Sequence, residues 1–214
     1  SVTTTDDDVA GFTVVESGGS TLVNEGGTTD DFTVVLDAEP LTDVVLTVSS
    51  SDTGEATVAP TPLTFTSATW DTPQTVTVTG VDDAFIDGSQ SSTITVSVDA
   101  GASDDDFDAL ADVTFSATTT DDDAPGISVA ESGGTTTVNE SGTTDDFTVV
   151  LNSGPATPVT LNIVSGDTGE ATVDLASLTF TPGNWDTTQQ VIVTGIDDPA
   201  NDGDQTTSTP TTTH

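Results

Sequence analysis

Apolar positions recur at every second residue, in short runs. Phe32, Val34 and Leu36 alternate with Thr and Val. The same period runs through Val44, Leu46 and Val48, through Leu63 and Phe65, and through Val76 and Val78. It continues through Ile94, Val96 and Val98, then Val113 and Phe115. A period of two puts one face of a strand in a core and the other in water. Clusters of Gly, Pro, Asp and Ser punctuate the runs. No stretch carries a helical period. Seven or more short strands in about 115 residues predict an all-β protein, an antiparallel β-sandwich of immunoglobulin-like type.

The pattern occurs twice. SVTTTDDD at 1–8 returns as SATTTDDD at 116–123, and the offset of 115 residues then holds without a gap. ESGGSTLVNEGGTTDDFTVVL at 16–36 matches ESGGTTTVNESGTTDDFTVVL at 131–151. LTFTSATWDTPQTVTVTGVDD at 63–83 matches LTFTPGNWDTTQQVIVTGIDD at 178–198. A unit of this length is a domain rather than a solenoid repeat. The expected division is 1–8 as the end of a preceding repeat, 9–123 as one sandwich, and 124–214 as a second, tandem sandwich. The second is expected to be incomplete. Equivalents of Ile94 to Phe115 should follow residue 206, yet the sequence there reads TTSTPTTTH, with Pro210 where Thr95 stands in the first unit. Two readings follow: a fragment of a longer chain, or a fold completed by a neighbouring chain through strand complementation.

Charge narrows the function. The chain has 37 acidic residues, no Lys or Arg and one His, giving a formal net charge of −37. A chain without cations has nothing to neutralise phosphates, which argues against nucleic acid as a partner. Anionic membrane surfaces repel it, and no apolar run approaches a membrane span, so membrane insertion is not expected. Without Cys there is no disulfide, thiolate nucleophile or sulfur-ligated zinc. Without Lys there is no Schiff base or P-loop.

The acids gather at Asp6–Asp8, Asp30–Asp31, Asp82–Asp83 with Asp87, Asp104–Asp106 and Asp121–Asp123, all in expected loops or joints. Loops at one end of a sandwich lie close together. Two carboxylates about 5 Å apart repel by roughly 3 kcal/mol at an effective dielectric near 20. No side-chain cation relieves this, but a divalent metal does. Calcium takes six to eight oxygen ligands, whereas Mg²⁺ prefers octahedral geometry and keeps its water. The alternative is a solvated acidic surface, which accounts for scattered acids such as Asp37, Asp43, Asp71 and Asp108. It accounts less well for Asp82-Asp83 followed by Asp87-Gly88. No loop has the EF-hand spacing.

The TVNE-like loops, the run TPQTVTVTGVDD at 72–83 and the closing Asp triad resemble the Calx-beta-like repeats of giant bacterial surface proteins and adhesins. The resemblance implies a seven-stranded sandwich that binds Ca²⁺ at the end facing the next domain. In the first unit it implies Glu25, Asp52, Asp82, Asp83, Asp87, Asp121, Asp122 and Asp123 as ligands. In the second it implies Glu140, Asp167, Asp197, Asp198 and Asp202, with no closing triad. Asp6 to Asp8 then match the triad of a preceding unit.

Smaller signals remain. Trp70 and Trp185 hold equivalent positions, where a glycan-stacking role competes with packing. Asn139-Glu140-Ser141 fits the N-glycosylation pattern, and His214 stands alone. Paired carboxylates suit glycoside hydrolysis, but clusters that repeat with the scaffold point to structural ion sites and not to an enzyme. The resulting expectation is a non-enzymatic, extracellular, cell-surface or secreted module. Calcium would stabilise it, and it would give length and rigidity to an adhesin or fibre. Its partners would be neighbouring repeats or neighbouring identical subunits. The rival expectations are a self-assembling filament subunit joined head to tail, and a carbohydrate-binding module with glycans as partners.

Overall fold

The computed structural model describes residues 2–3, 5, 7–199 and 203–206. The expected ligand Asp202, and also Asp6 and His214, lie outside the described residues. The chain divides into two compact units, Ser1–Asp83 with Gly88–Asp122, and Ala84–Asp87 with Asp123–His214. Among the described residues there is no α-helix, and no helix is long and apolar enough to cross a membrane.

The strands up to residue 120 are β1 (Phe12–Glu16), β2 (Thr21–Asn24), β3 (Thr29–Leu36), β4 (Val44–Ser50), β5 (Ala56–Ala59), β6 (Leu63–Phe65), β7 (Gln74–Gly80), β8 (Phe85–Ile86), β9 (Gln90–Val98) and β10 (Val113–Thr120). All but β8 belong to the first unit, as a four-stranded sheet β1-β3-β7-β5 and a five-stranded sheet β2-β10-β9-β4-β6. The apolar faces of β3, β4, β6 and β7 are buried. Phe32, Val34, Leu36, Val76 and Val78 from one sheet share a core with Leu46, Leu63, Phe65, Ile94 and Val96 from the other. Full burial of each such side chain contributes about 1.5–3 kcal/mol. Val113 and Phe115 are only half-buried, and Phe115 meets Phe32 edge-on at 4.9 Å between ring centroids.

Two pairings depart from the antiparallel expectation: the short pair β8 with Gly154–Pro155 of the second unit, and, in the first unit, β2, which runs parallel to β10 with Ala117 opposite Thr21 and Thr120 opposite Asn24. For β2 the cause is a change of sheet. The chain leaves β1 through a tight turn at Ser17–Gly19, where Gly18 and Gly19 have φ of 65° and 81°. Residues with a Cβ are strained there. After the turn the chain joins the opposite sheet beside its last strand.

The second unit contains β8 and β11 (Ile127–Glu131), β12 (Thr144–Leu151), β13 (Gly154–Pro155), β14 (Val159–Asn162), β15 (Ala171–Val173), β16 (Ser177–Phe180) and β17 (Gln189–Gly195). Its sheet β11-β12-β17-β15 repeats β1-β3-β7-β5. The pair β14-β16 repeats β4-β6, and β8 pairs with β13. Phe147, Leu161, Leu178, Phe180 and Val191 form its core. Residues 136–139, equivalent to β2, form no strand. Trp70 and Trp185 are half-buried against the core of their own unit, and Trp185 also meets Phe85 edge-on at 6.2 Å.

Several acids are structural acceptors. Asp30 Oδ2 accepts the Leu22 N–H at 3.0 Å, and Asp145 Oδ2 accepts the Thr137 N–H at 2.8 Å. Asp104 Oδ2 accepts the Thr42 N–H at 2.8 Å, and its Oδ1 accepts the Asp106 N–H at 3.1 Å. These backbone hydrogen bonds, Thr42 first, hold the Asp104 carboxyl below its ordinary pKa. A depressed folded-state pKa stabilises the fold above the unfolded value of about 3.9, and the contribution is lost as pH falls through the lower folded value. Asp104→Asn is therefore expected to melt below the parent protein at neutral pH. The gap should close under acid, as followed by circular dichroism melts across a pH series.

Candidate metal centre

At one end of the first unit four strand ends converge, and Gly80 sets their spacing. A Cβ at Gly80 would lie 1.9 Å from the backbone oxygen of Asn24. The absence of that carbon lets the end of β2 rest directly against the end of β7. The residues that follow, Glu25 after β2 and Val81–Asp83 after β7, are carried to the same place. Hydrogen bonds tie in the other two strands. The Glu25 N–H donates to Thr120 O at the end of β10 at 3.1 Å. The Val81 N–H donates to Glu55 O, just before β5, at 2.9 Å. The buried Thr119 hydroxyl donates to the same oxygen at 3.2 Å.

The carboxylates at this end crowd together. Glu25 is fully buried, with 0% of its surface exposed. Its carboxylate and that of Asp83 each offer an oxygen within 4.8 Å of the other, and Glu55 and Asp83 do the same. Crowded carboxylates of this kind are relieved by a shared proton or by a cation. The protein itself has no Lys or Arg to offer. Beside Glu25, Asn24 Oδ1 is buried without a hydrogen-bond partner. An ideal Cβ on Gly26 would lie 3.3 Å from that oxygen and 2.7 Å from Asp122 Oδ2. Gly26 thus keeps clear a space that two oxygen donors face. All the donors here are hard oxygens, the set that suits Ca²⁺ or Mg²⁺ and not a soft metal.

The other expected ligands have varied placements. Asp121 Oδ2 accepts the Gly88 N–H at 2.8 Å. Asp82 is exposed. Asp52 is exposed and closes its own turn, accepting the Gly54 N–H at 2.9 Å; Glu55, three residues on, stands near Asp83 instead. Asp87 and Asp123 belong to the stretches counted with the second unit, and Asp123 Oδ1 there accepts the Ser153 hydroxyl at 3.0 Å. In the second unit Asp167 repeats the turn of Asp52, accepting the Gly169 N–H at 2.8 Å. Glu140 is half-buried where Glu25 is fully buried, Asp197 is exposed and Asp198 half-buried. Among the described residues, no three carboxylates wholly within the second unit come as close as those around Asp83. Asn139 is exposed, and its Oδ1 accepts the Ser141 N–H at 3.1 Å.

Sequence reading missed Glu55 and Asn24. The signal for Glu55 was its recurrence as Glu170 in the shared GEATV, immediately before a buried Ala. The signal for Asn24 was the shared VNE.

No protein-family model matches the chain, and no curated protein does. The Calx-beta-like resemblance therefore has no sequence family behind it. Among solved structures the chain is similar to the calcium binding domain CBD12 of CALX1.1. The identity is 17%, covering 87% of this chain and 76% of that one, with a TM-score of 0.38. It is similar to domains 5-6 of the S-layer protein SbsC at 17% identity, covering 88% and 85%, with a TM-score of 0.31. It is also similar to SSP-19, an MSP-domain protein like family member in Caenorhabditis elegans. That identity is 19%, covering 50% of this chain and 98% of that one, with a TM-score of 0.35. At these identities and TM-scores no role passes from those proteins to this chain.

Two glycines separate scaffold from site. Gly80→Ala meets backbone that cannot step aside and is expected to destabilise the first unit by about 1–3 kcal/mol in urea unfolding. Gly26→Ala meets only the side-chain tips of Asp122 and Asn24. It should leave unfolding nearly unchanged while weakening divalent-cation binding in a calorimetric titration.

Proposed function

We propose that the protein is a non-enzymatic, extracellular β-sandwich repeat module, stabilised by Ca²⁺, that gives length and rigidity to a surface adhesin or fibre. One observation carries the reading: the fully buried Glu25 carboxylate stands beside Asp83 in a chain with no Lys or Arg. Glu25, Glu55, Asp83, Asp122 and the Asn24 side-chain oxygen are the residues that would hold the ion. Calcium supplies positive charge to several oxygens at once and tolerates irregular geometry. Bound there, it would fasten the ends of β2, β5, β7 and β10 to one another. The spacer role rests on the gapless duplication of the unit, since a scaffold repeated with its acids serves extension better than a single active site does. Catalysis is disfavoured by the repertoire, which offers only hydroxyls and carboxylates and no His before residue 214.

The test is a thermal melt with Ca²⁺ and with chelator. Free ion at 100 times Kd stabilises by about 2.7 kcal/mol, which for a unit of this size raises Tm by on the order of 10 °C. Equal midpoints at low salt would overturn the reading. Glu25→Gln sharpens the test because its sign reverses. In chelator it should melt above the parent, since one repelling charge is gone. In Ca²⁺ it should melt below, since one ligand is gone.

A further inference from the structure

Ala84–Asp87 stand between β7 and β9 in the sequence, yet they form part of the second unit. There they supply β8, with Phe85 opposite Gly154 and Ile86 opposite Pro155. The Gly154 N–H donates to Ala84 O at 2.6 Å. The Phe85 ring lies against Gly154 and meets Trp185 edge-on, with 6.2 Å between ring centroids. Gly154 and Pro155 are buried. Beside them the buried Ser153 shares its hydroxyl hydrogen between Asp123 Oδ1 at 3.0 Å and Ala124 O at 3.1 Å, which pins the start of the slot.

The backbone does not explain why residue 154 is glycine. Gly154 is not among the glycines with positive φ. The duplication supplies a control. The equivalent residue of the first unit is Glu39, flanked by Ala38 and Pro40 where Ser153 and Pro155 stand, with Trp70 in the place of Trp185. A side chain is therefore compatible with this point of the fold. Among the described residues, Glu39 and Pro40 pair with no strand. In the second unit a Cβ on residue 154 would lie 2.4 Å from Phe85 Cδ1 and 2.7 Å from Cε1. A ring held by strand pairing on one side and by Trp185 on another has no room to swing away. The inserted segment varies as well: AFID at 84–87 becomes PAND at 199–202, which puts Ala200 at the position of Phe85.

We infer that Gly154, Pro155 and Trp185 form a recognition slot for a strand that carries an aromatic side chain, and that the residue at position 154 sets which strand is admitted. Strand addition draws affinity from main-chain hydrogen bonds and specificity from side chains. Here the bare face of Gly154 and the edge of Trp185 select the ring. Specificity also needs rejection of the wrong partner. A glutamate at this position places a Cβ where the ring must lie, and presses a carboxylate against an apolar surface that cannot replace its water. Repeats of one chain present nearly the same strand edges, and misassembly between them is a characteristic failure of repeat proteins. A slot that distinguishes Phe from Ala on the same backbone guards against it. Phe85, Gly154 and Trp185 offer no side-chain oxygen, so the slot acts independently of any ion.

The test uses the full chain with Trp70→Phe, which leaves Trp185 as the one indole. Acrylamide quenching of its fluorescence and urea unfolding are measured in chelator. Phe85→Ala is expected to raise the quenching and lower the urea midpoint. Gly154→Glu, which copies the residue of the first unit, should do the same. The double variant decides between recognition and a purely local role. With the ring gone the glutamate meets nothing, so the combined loss should equal that of Phe85→Ala alone and not the sum of the two. Gly154→Ala repeats the comparison with a single added carbon, which covers the case in which Gly154→Glu does not fold. Losses that add in both series would overturn the inference, as would quenching that Phe85→Ala leaves unchanged. Ca²⁺-independent melting of the parent would remove the calcium reading and leave the slot standing.

Discussion

The seam between β2 and β10 governs the rest of this structure. It joins the early chain to the last strand of the first unit across nearly a hundred residues. It exists because two adjacent glycines let the chain turn out of one sheet and into the other. Where the seam is made, Val23 is sealed in the core, Thr119 finds a carbonyl, and Glu25 is driven out of water. In the second unit the equivalent residues 136–139 form no strand, and Glu140 is half-buried.

The acids divide into two kinds that composition does not distinguish. Asp30, Asp104 and Asp145 are anchored by backbone N–H groups, which supply partial positive charge in place of the missing Lys and Arg. Asp52 and Asp167 close their own turns. Each of these carboxylates accepts a backbone N–H within its own unit. Glu25, Glu55 and Asp83 differ because strand ends force them together and burial strips water from at least one of them. Crowding imposed by the backbone, and not the density of acid in the sequence, defines the candidate centre.

Much of the fold was legible in the sequence. The period of two at Phe32 to Leu36, Val44 to Val48 and Val76 to Val78 identifies inward-facing residues, because a half-buried strand leaves no other pattern. The duplication was visible as text. The parallel seam was not, since pairing between residues 21 and 117 leaves no local trace. The same reason hid Glu55, whose nearness to Asp83 depends on β5 lying beside β7. Asp52 entered only through the family resemblance, and its Oδ1 accepts the Gly54 N–H of its own turn. Glu25, by contrast, stands where the shared VNE placed it, at the end of a strand whose neighbour Gly80 admits a close approach.

The parallel direction of β2 and β10 has a mechanical consequence. Tension entering through the start of β2 and leaving through the end of β10 pulls the two strands lengthwise past each other. Every hydrogen bond of the ladder then bears load at once, in shear, whereas a hairpin pulled from its open end gives way one rung at a time. A unit loaded in this way resists stretching through the geometry of its strands.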